Sequence, residues 1–365
     1  MADAVGRPRR VLVLGATGYV GSRLVPALLA AGHTVVAASS RPPRPAAYDW
    51  GADVEWRRCD ATNPEHVAAA LRDVDAVCYL VHSLAGPRFE ERDRLAARTV
   101  AEAVERSGVE RVVYLSGLVP EGSGRALSPH LASRVEVEQL LAGSGRPTLA
   151  LRAGVVLGAG STSFEILRQL ATLLPVQPVP LWMHRRVQPV AVSDVVRALV
   201  EALADDTVTG TLDVGGPDVL TYPELLATFS RAAGLLRVRV PVVAAPNVVV
   251  GLGMAALSAA PPRTALALAQ SLRDDMVCRP GRTWTPADGR PLLDAESAVR
   301  LALSGDGDVA EATRPGDAEW TRRLPLVDSV PSPAAVRAAG TLALRRGREL
   351  ASGARRRLRG DGEVH

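Results

Sequence analysis

A glycine-rich turn near the N-terminus constrains the fold of this chain more than any other feature. Gly15, Gly18 and Gly21 are spaced three residues apart, directly after the apolar run 10–14 and at the start of an apolar-periodic stretch, 20–31. Because glycine has no Cβ, the backbone can turn tightly and approach a phosphate group, whose charge is met by free N–H groups at a helix N-terminus. A strand, this turn and a helix predict a unit that binds the diphosphate of a dinucleotide; a glycine-rich turn without a ligand is the alternative.

The same alternation of strand and helix continues through the N-terminal half of the chain. Apolar patterns predict strands near 33–38, 54–57, 76–81, 111–115 and 148–157, and helices near 67–71, 95–107 and 133–141. This alternation is typical of an α/β protein with a doubly wound parallel sheet of the Rossmann type. We therefore predict a dinucleotide-binding domain over 9–220, a smaller, mostly helical capping region over 221–325 that selects the substrate, and a basic tail over 326–365.

The end of the second predicted strand favours NADP(H) over NAD(H). A carboxylate at this position binds the adenosine ribose of NAD(H), whereas arginine accommodates the 2′-phosphate of NADP(H). Ser39, Ser40 and Arg41 stand there, no carboxylate follows before Asp49, and Arg44 is close in sequence. The alternative is that both arginines only solvate a proline-rich loop.

Further motifs resemble the short-chain dehydrogenase/reductase superfamily, and specifically its atypical NAD(P)H-binding branch, which includes NmrA-like sensors and the 39 kDa accessory subunit of respiratory complex I. The resemblance spans roughly residues 9–230. Its motifs, besides the glycine turn, are Cys59-Asp60-Ala61-Thr62, Tyr79-Leu80-Val81-His82-Ser83, the segment 112–116 ending in Ser116, the segment 188–195, and the segment 212–217. The resemblance implies a cofactor site made of Gly15, Thr17, Gly18, Tyr19, Val20, Gly21, Ser39, Ser40, Arg41, Asp60, Ala61, Leu80, Val81 and His82, with Asp60 facing the adenine.

The catalytic residues of the superfamily are only partly present. Ser116 matches the serine that positions the substrate in standard members. The Tyr-x-x-x-Lys pair of those members is absent, and His130 and Arg134 stand with the same separation. His130 would be a proton donor only when its imidazole is charged, and the positive charge of Arg134 would oppose that. A structural role for His130 near a helix N-terminus is the alternative.

Two functions are consistent with these residues. The first is an oxidoreductase that moves hydride between NADP(H) and a small, apolar carbonyl or quinone-like substrate. The second is a non-catalytic dinucleotide-binding sensor or accessory subunit, which the missing Tyr-Lys pair favours. The sequence leaves open which of the two applies.

The distribution of charge and the absence of lysine exclude several other classes of protein. The net charge of +4 comes from residues 331–365, which hold eight arginines against three acidic residues, so the other 330 residues carry a net charge of −1. Nucleic-acid binding is therefore not expected. The tail is interpreted as a disordered solubilising extension or as a contact for anionic lipid or a protein partner. All 43 basic residues are arginine, which excludes a Schiff-base or phosphate-loop lysine.

The cysteines and the apolar stretches indicate in which cellular compartment the protein is expected. Three scattered cysteines suit neither a disulfide framework nor a zinc site, so we expect no metal and a reducing cytoplasm. The N-terminus lacks the apolar region of a signal peptide. The uncharged stretch 240–262 is long enough to cross a bilayer, but its prolines and glycines favour a buried or interfacial helix.

Overall fold

The computed structural model describes residues 7–82, 88–120, 127–243, 250, 253–254, 257–304 and 315–322. Its helices are α1 (Gly21–Ala30), α2 (Pro64–Ala70), α3 (Phe89–Glu105), α4 (Pro129–Ala142), α5 (Thr162–Leu173), α6 (Val192–Ala204), α7 (Tyr222–Ala232), α8 (Pro262–Ser271), α9 (Ala295–Ser304) and α10 (Glu319–Arg322). Its strands are β1 (Arg10–Leu14), β2 (Thr34–Ser39), β3 (Glu55–Arg58), β4 (Ala76–Tyr79), β5 (Arg111–Gly117), β6 (Thr148–Ala153), β7 (Val156–Leu157), β8 (Val176–Pro180), β9 (Arg186–Val187), β10 (Val190–Ala191), β11 (Gly210–Val214), β12 (Leu220–Thr221) and β13 (Val238–Val242).

The predicted doubly wound parallel sheet is confirmed. Seven strands lie in the order β11-β6-β5-β4-β1-β2-β3, and every neighbouring pair is parallel. Side chains of alternating residues in β1 enter two different cores: Val11 and Val13 pack with α1 and α6, whereas Leu12 and Leu14 pack with α2, α3 and α4. Helices therefore cover both faces, which is why the strands read as continuous apolar runs rather than alternating ones.

The strand order reverses beside β1. The chain moves from β1 outward to β2 and β3, then crosses back to β4 on the other side of β1. In an open parallel sheet, a crevice opens between the carboxyl ends of the two strands where the order reverses, and ligands bind there. The glycine turn follows β1, so the fold places it at this crevice.

The strand predicted over 148–157 is wrong in its extent. β6 ends at Ala153, and β7 leaves the large sheet to pair with β10. At the junction, Gly154 lies so close to the carbonyl oxygen of the distant Gln188 that a Cβ at that position would overlap it. The chain bends there toward the capping layer.

The capping layer has a core of its own. Phe164 of α5 packs against Phe229 of α7 at 5.9 Å between ring centroids, and Val299 of α9 belongs to the same cluster. A parallel pair, β8 and β13, lies at its edge. The cap therefore includes residues before 220 as well as after it.

Several predicted segments lie wholly or partly outside the described residues. These are Ser83, the basic tail over 326–365 and ten residues of the uncharged stretch 240–262. In the part of the chain that is described, no helix has both the length and the apolarity needed to cross a bilayer.

Candidate functional site

The glycine turn has the geometry of an anion-binding loop. Gly15 has a φ of +92°, a left-handed conformation that favours glycine, and the Gly18 N–H donates to its carbonyl oxygen at 2.9 Å. A Cβ on Gly21 would overlap that same oxygen. At the start of α1, no side chain caps the helix, and the N–H groups of Val20 and Gly21 donate to no acceptor in the described chain. The glycines leave room for a diphosphate at this turn, and these N–H groups can donate hydrogen bonds to it.

A cavity of about 1020 Å³ extends from this turn to the cap. It brings together ten of the residues that the sequence singled out. They are Gly15, Gly18, Tyr19, Val20, Gly21, Leu80, His82, Ser116, His130 and Arg134. Thr17, Ser39, Ser40, Arg41, Asp60, Ala61 and Val81 do not line this cavity.

The residues predicted to meet the adenosine lie along the ends of β2 and β3. Ser39 is buried at the end of β2, and its Oγ accepts a hydrogen bond from the Arg41 N–H at 3.3 Å. Arg41 is exposed, as is Arg44. Sequence reasoning missed Arg58, whose exposed side chain ends β3 directly beside Ser39 in the strand register. None of these three arginines forms an ion pair with another described residue.

Asp60 is held by its own turn. Its carboxylate accepts hydrogen bonds from the N–H of Thr62 at 3.0 Å and from the Thr62 hydroxyl at 2.8 Å, and these lower its pKa. Arg92, which lines the cavity, adds a smaller effect in the same direction. Ala61, next to it, is buried. The Asp60 carboxylate is therefore ionised and fixed at neutral pH.

His130 and Arg134 lie one turn apart at the start of α4. Ser128 caps this helix by accepting a hydrogen bond from the Leu131 N–H at 3.4 Å. The Arg134 guanidinium donates to the Leu115 carbonyl at 3.0 Å and to the Tyr114 hydroxyl at 3.3 Å. Arg134 is thus tied to β5 immediately before Ser116, and all three predicted catalytic residues face one cavity.

The protonation state of His130 follows from its surroundings. Burial, with a further effect from the positive charge of Arg134, lowers its pKa to about 3. The His82 ring lies beside it, with 6.5 Å between ring centroids. At neutral pH the His130 imidazole is therefore uncharged, and it can donate a hydrogen bond but does not act as an imidazolium acid.

The part of the cavity under the cap is mainly apolar. Its wall is formed by aliphatic and thioether side chains together with Tyr222 and Trp320, and hydroxyl groups also line it, at Ser161, Thr162 and Ser163 where α5 begins and at Thr264 of α8; the aliphatic and thioether members include Ile166, Leu170, Met183, Leu225, Leu268 and Met276. Among the described residues that line the whole cavity, there is no carboxylate, and the only guanidinium groups are those of Arg92 and Arg134.

A segment near the C-terminus closes one side of the site, and sequence reasoning missed it. Gly316 packs on the glycine turn so closely that a Cβ would overlap the Thr17 carbonyl oxygen. The next residue, Asp317, forms a fully buried ion pair with Arg23 of α1, at 2.7 Å. Trp320 then lines the cavity. We call residues 315–322 the C-terminal strap; its contact with α1 spans 294 positions of sequence, which local patterns do not reveal.

Comparison with known proteins agrees with this site. Residues 15–174 match a family described as NAD(P)H-binding. Pinoresinol reductase 1 of Arabidopsis thaliana is 28% identical over 251 residues, which cover 62% of this chain and 74% of that protein. The solved structure of MoeE5 in complex with UDP-glucose and NAD is 28% identical, with a TM-score of 0.52, over 64% of this chain and 85% of that one.

An uncharacterised protein of Mycobacterium tuberculosis is 27% identical over 223 residues, which cover 61% of this chain. This chain spans only 23% of the length of that relative.

The fold and the glycine turn define a nicotinamide-dinucleotide-binding α/β protein. The matches above agree with the resemblance to the atypical, NAD(P)H-binding branch of the short-chain dehydrogenase/reductase superfamily that the sequence motifs indicate. The prediction of an NAD(P)-binding domain of the Rossmann type from the sequence is confirmed.

Proposed function

We propose that this protein is an NADP(H)-dependent reductase of an apolar carbonyl or quinone-like compound. One observation carries the proposal. A single cavity joins the glycine turn, the polar group Ser116, His130 and Arg134, and an apolar wall under the cap. A dinucleotide bound by the turn and an apolar substrate bound under the cap would meet at these three polar side chains.

The preference for NADP(H) rests on three arginines. Arg41 and Arg44 follow the end of β2 along the chain, and Arg58 is paired with Ser39 in the strand register; all three are exposed and form no ion pair with a described carboxylate. A guanidinium group forms strong, charge-assisted hydrogen bonds with a phosphate, so these side chains suit a 2′-phosphate. An NAD(H)-binding site would instead present a carboxylate at this point.

The residues at the junction can assist hydride transfer without a tyrosine. When bound, the reduced nicotinamide supplies the hydride. The neutral His130 imidazole donates a hydrogen bond to the substrate oxygen, and the positive charge of Arg134 stabilises the negative charge that develops there. The Ser116 hydroxyl is a second hydrogen-bond donor to the substrate oxygen. The proton that completes the alcohol comes from water. The apolar wall limits the access of bulk water to the reacting atoms.

The relatives include both reductases and sugar-nucleotide enzymes, and the cap wall favours a reductase. The matched plant relative is named for reduction of pinoresinol, whereas MoeE5 was solved with UDP-glucose. A sugar nucleotide carries a diphosphate that needs cationic or amide partners in the substrate half of a site. Most of the cap wall of this cavity is lined by aliphatic and aromatic side chains, and its polar groups are the hydroxyls of Ser161, Thr162, Ser163 and Thr264 rather than cations.

Cofactor preference is tested by titration of the Arg41→Ala variant with NADPH and with NADH. We expect the affinity for NADPH to fall about tenfold, because a charge-assisted contact to phosphate is lost, while the affinity for NADH stays unchanged. Arg263→Ala, which removes an exposed arginine from the start of α8, is the matched control. Equal losses for both dinucleotides would show that Arg41 does not meet the 2′-phosphate.

Catalysis is tested with a panel of apolar aldehydes, ketones and quinones under NADPH. Removal of one preorganised donor costs on the order of a hundredfold in rate, so His130→Ala should reduce turnover by about that factor. If the wild type and His130→Ala oxidise NADPH equally slowly across the whole panel, a reductase function is excluded.

The second candidate is a non-catalytic dinucleotide sensor or accessory subunit. It is favoured by the absence of the Tyr-Lys pair and by the neutral state of His130, which removes an ionisable proton donor. Steady turnover of any substrate well above background would eliminate this candidate.

A further inference from the structure

The C-terminal strap is fastened to the glycine turn and also lines the cavity. A Cβ on Gly316 would overlap the Thr17 carbonyl oxygen, so the two backbone segments meet without a side chain between them. Gly316, Ala318 and Trp320 all line the cavity that begins at the turn. The strap is therefore a wall of the cavity beside the place where the glycine turn would hold a diphosphate.

Buried contacts on two sides fix the strap in place. The Asp317 carboxylate accepts hydrogen bonds from the Arg23 guanidinium at 2.7 and 3.0 Å, and both side chains of this ion pair are fully buried. A Cβ on Gly160, at the start of the cap, would overlap the same carboxylate. Asp317 is therefore held between α1 and the cap, and it fixes where the next residues of the strap begin.

Trp320 follows this anchor closely. It stands three residues after Asp317, so the two Cα atoms are at most about 11 Å apart even in an extended chain. The chain between them is shorter than that, because the N–H and the hydroxyl of Thr321 both donate to the Ala318 carbonyl, at 2.9 and 2.6 Å. The Trp320 indole therefore lines the cavity where the cap wall approaches the glycine turn.

The indole N–H of Trp320 has no acceptor among the described residues. Three other tryptophans, Trp50, Trp56 and Trp284, each donate this N–H to an oxygen of the protein, at 3.1, 2.8 and 3.0 Å. Of the five tryptophans in the chain, Trp320 alone lines the cavity. Because a partly buried indole usually directs its N–H to a partner, this one offers a hydrogen-bond donor to a ligand in the cavity.

We propose that Trp320 is a dinucleotide-binding residue, whose indole N–H donates to a phosphate oxygen of the bound cofactor and whose ring forms one wall of its site. A charged phosphate oxygen is the strongest acceptor that a dinucleotide brings to the glycine turn. Arg23 of α1 does not supply the donor, because its charge is already compensated by Asp317. The inference rests on the proposed function, since it adds a contact to the same cofactor.

Calorimetric titration with NADPH, in the absence of any substrate, tests this contact. Trp320→Phe keeps an aromatic ring but removes the N–H, so the affinity should fall about fivefold. Trp320→Ala removes the ring as well and should lower the affinity about fiftyfold. The affinity for NADH should fall by the same factors, because both dinucleotides carry the diphosphate. The matched controls are Trp182→Phe and Trp182→Ala, at a half-buried tryptophan that does not line the cavity, and they should bind as the wild type does.

Chemical denaturation of each variant separates an effect on folding from an effect on binding, and Trp320→Phe should unfold at the same denaturant concentration as the wild type. The inference is overturned if both Trp320 variants bind NADPH as tightly as their controls, which is also the result that contact with the substrate alone would give. A loss for NADPH without a loss for NADH would overturn it too, because it would place the indole at the 2′-phosphate. If the wild type binds neither dinucleotide, the proposed function itself fails, so the two failures are distinguishable.

Discussion

At Gly21 the backbone has no room for a side chain. The first residue of α1 lies against the Gly15 carbonyl oxygen, and that contact brings the helix N-terminus to the crevice of the sheet. The spacing of the three glycines was readable from the sequence because it depends on local backbone geometry alone. The sequence therefore predicted this part of the site residue by residue.

The Gly21→Ala variant tests the turn. Its Cβ would push α1 away from Gly15, so we expect at least about a tenfold loss of dinucleotide affinity and about 2–4 kcal/mol of lost stability. Gly108→Ala is the control, because a Cβ at Gly108 meets nothing within 4 Å. Isothermal titration and chemical denaturation give the two quantities. A Gly21→Ala protein that binds as tightly as the control would contradict the close approach.

The neutral state of His130 predicts a pH dependence of stability. The folded chain keeps this imidazole uncharged down to about pH 3, while an unfolded chain binds a proton near the usual pKa of 6.5. Protons therefore favour the unfolded state between these values, and stability falls as the pH drops below about 6.5, by at most about 1.4 kcal/mol per pH unit from this residue.

His130→Asn should reduce that slope between pH 6.5 and 4.5, measured by urea denaturation at each pH. Equal slopes for the wild type and His130→Asn would mean that His130 is protonated normally in the fold.

Other residues of the site lay beyond sequence reasoning. Arg58 meets Ser39 only through the pairing of two strands whose register is set by the sheet, not by spacing along the chain. The tie between Arg134 and the Leu115 carbonyl likewise depends on how α4 packs against β5. Motif matching located His130 and Arg134, but only their surroundings determine the charge of the imidazole.

Among the elements, the C-terminal strap is the least expected. The Arg23 guanidinium donates to the carbonyls of Tyr19 and Ala159 as well as to Asp317, so one side chain joins the glycine turn, the start of the cap and the strap. Both members of the ion pair are fully buried. Loss of one partner leaves a buried charge without compensation, which is strongly destabilising.

Asp317→Asn should therefore cost about 3–5 kcal/mol of stability and weaken dinucleotide binding, because the strap would leave the glycine turn. Glu296→Gln, which breaks exposed ion pairs with Arg300 and Arg231, should leave the stability nearly unchanged. Thermal and chemical denaturation with and without NADPH measure both effects. Equal stabilities for the two variants would contradict a structural role for the strap.

The secondary-structure elements were predicted best where strands and helices alternate regularly along the chain. The strands and helices of the large sheet were located within a few residues, since apolar periodicity and local turns decide them. Periodicity did not separate β6 from β7, because both are apolar and the bend depends on the distant Gln188. The Asp317 contact is likewise invisible to local patterns.

At the scale of the whole molecule, the two halves of the cavity come from different layers. The large sheet carries the dinucleotide turn, while the cap supplies a mainly apolar wall. The sequence did not reveal this division, because the cap is assembled from two stretches on either side of α6 and β11. Only the folded chain brings α5 and β8 together with α7 and β13.

The apolar inner wall predicts the substrate range. UDP-glucose and UDP-glucuronic acid should neither be oxidised with NADP⁺ or NAD⁺ nor raise the melting temperature at millimolar concentration, because the described cap wall is mainly aliphatic and aromatic, and the two guanidinium groups of the cavity, Arg92 and Arg134, lie on the side of the large sheet. A hydrophobic quinone, as the comparison compound, should raise it in the presence of NADPH. Stabilisation by the sugar nucleotides alone would place this protein with sugar-modifying enzymes.

The most direct test of the dinucleotide site is calorimetric titration of the purified wild-type protein with NADPH and with NADH. Backbone amides at the start of α1 and the exposed arginines beyond β2 and β3 predict binding of both, with NADPH the tighter ligand. If neither dinucleotide binds at millimolar concentration, the glycine turn does not hold a diphosphate and the proposed function fails.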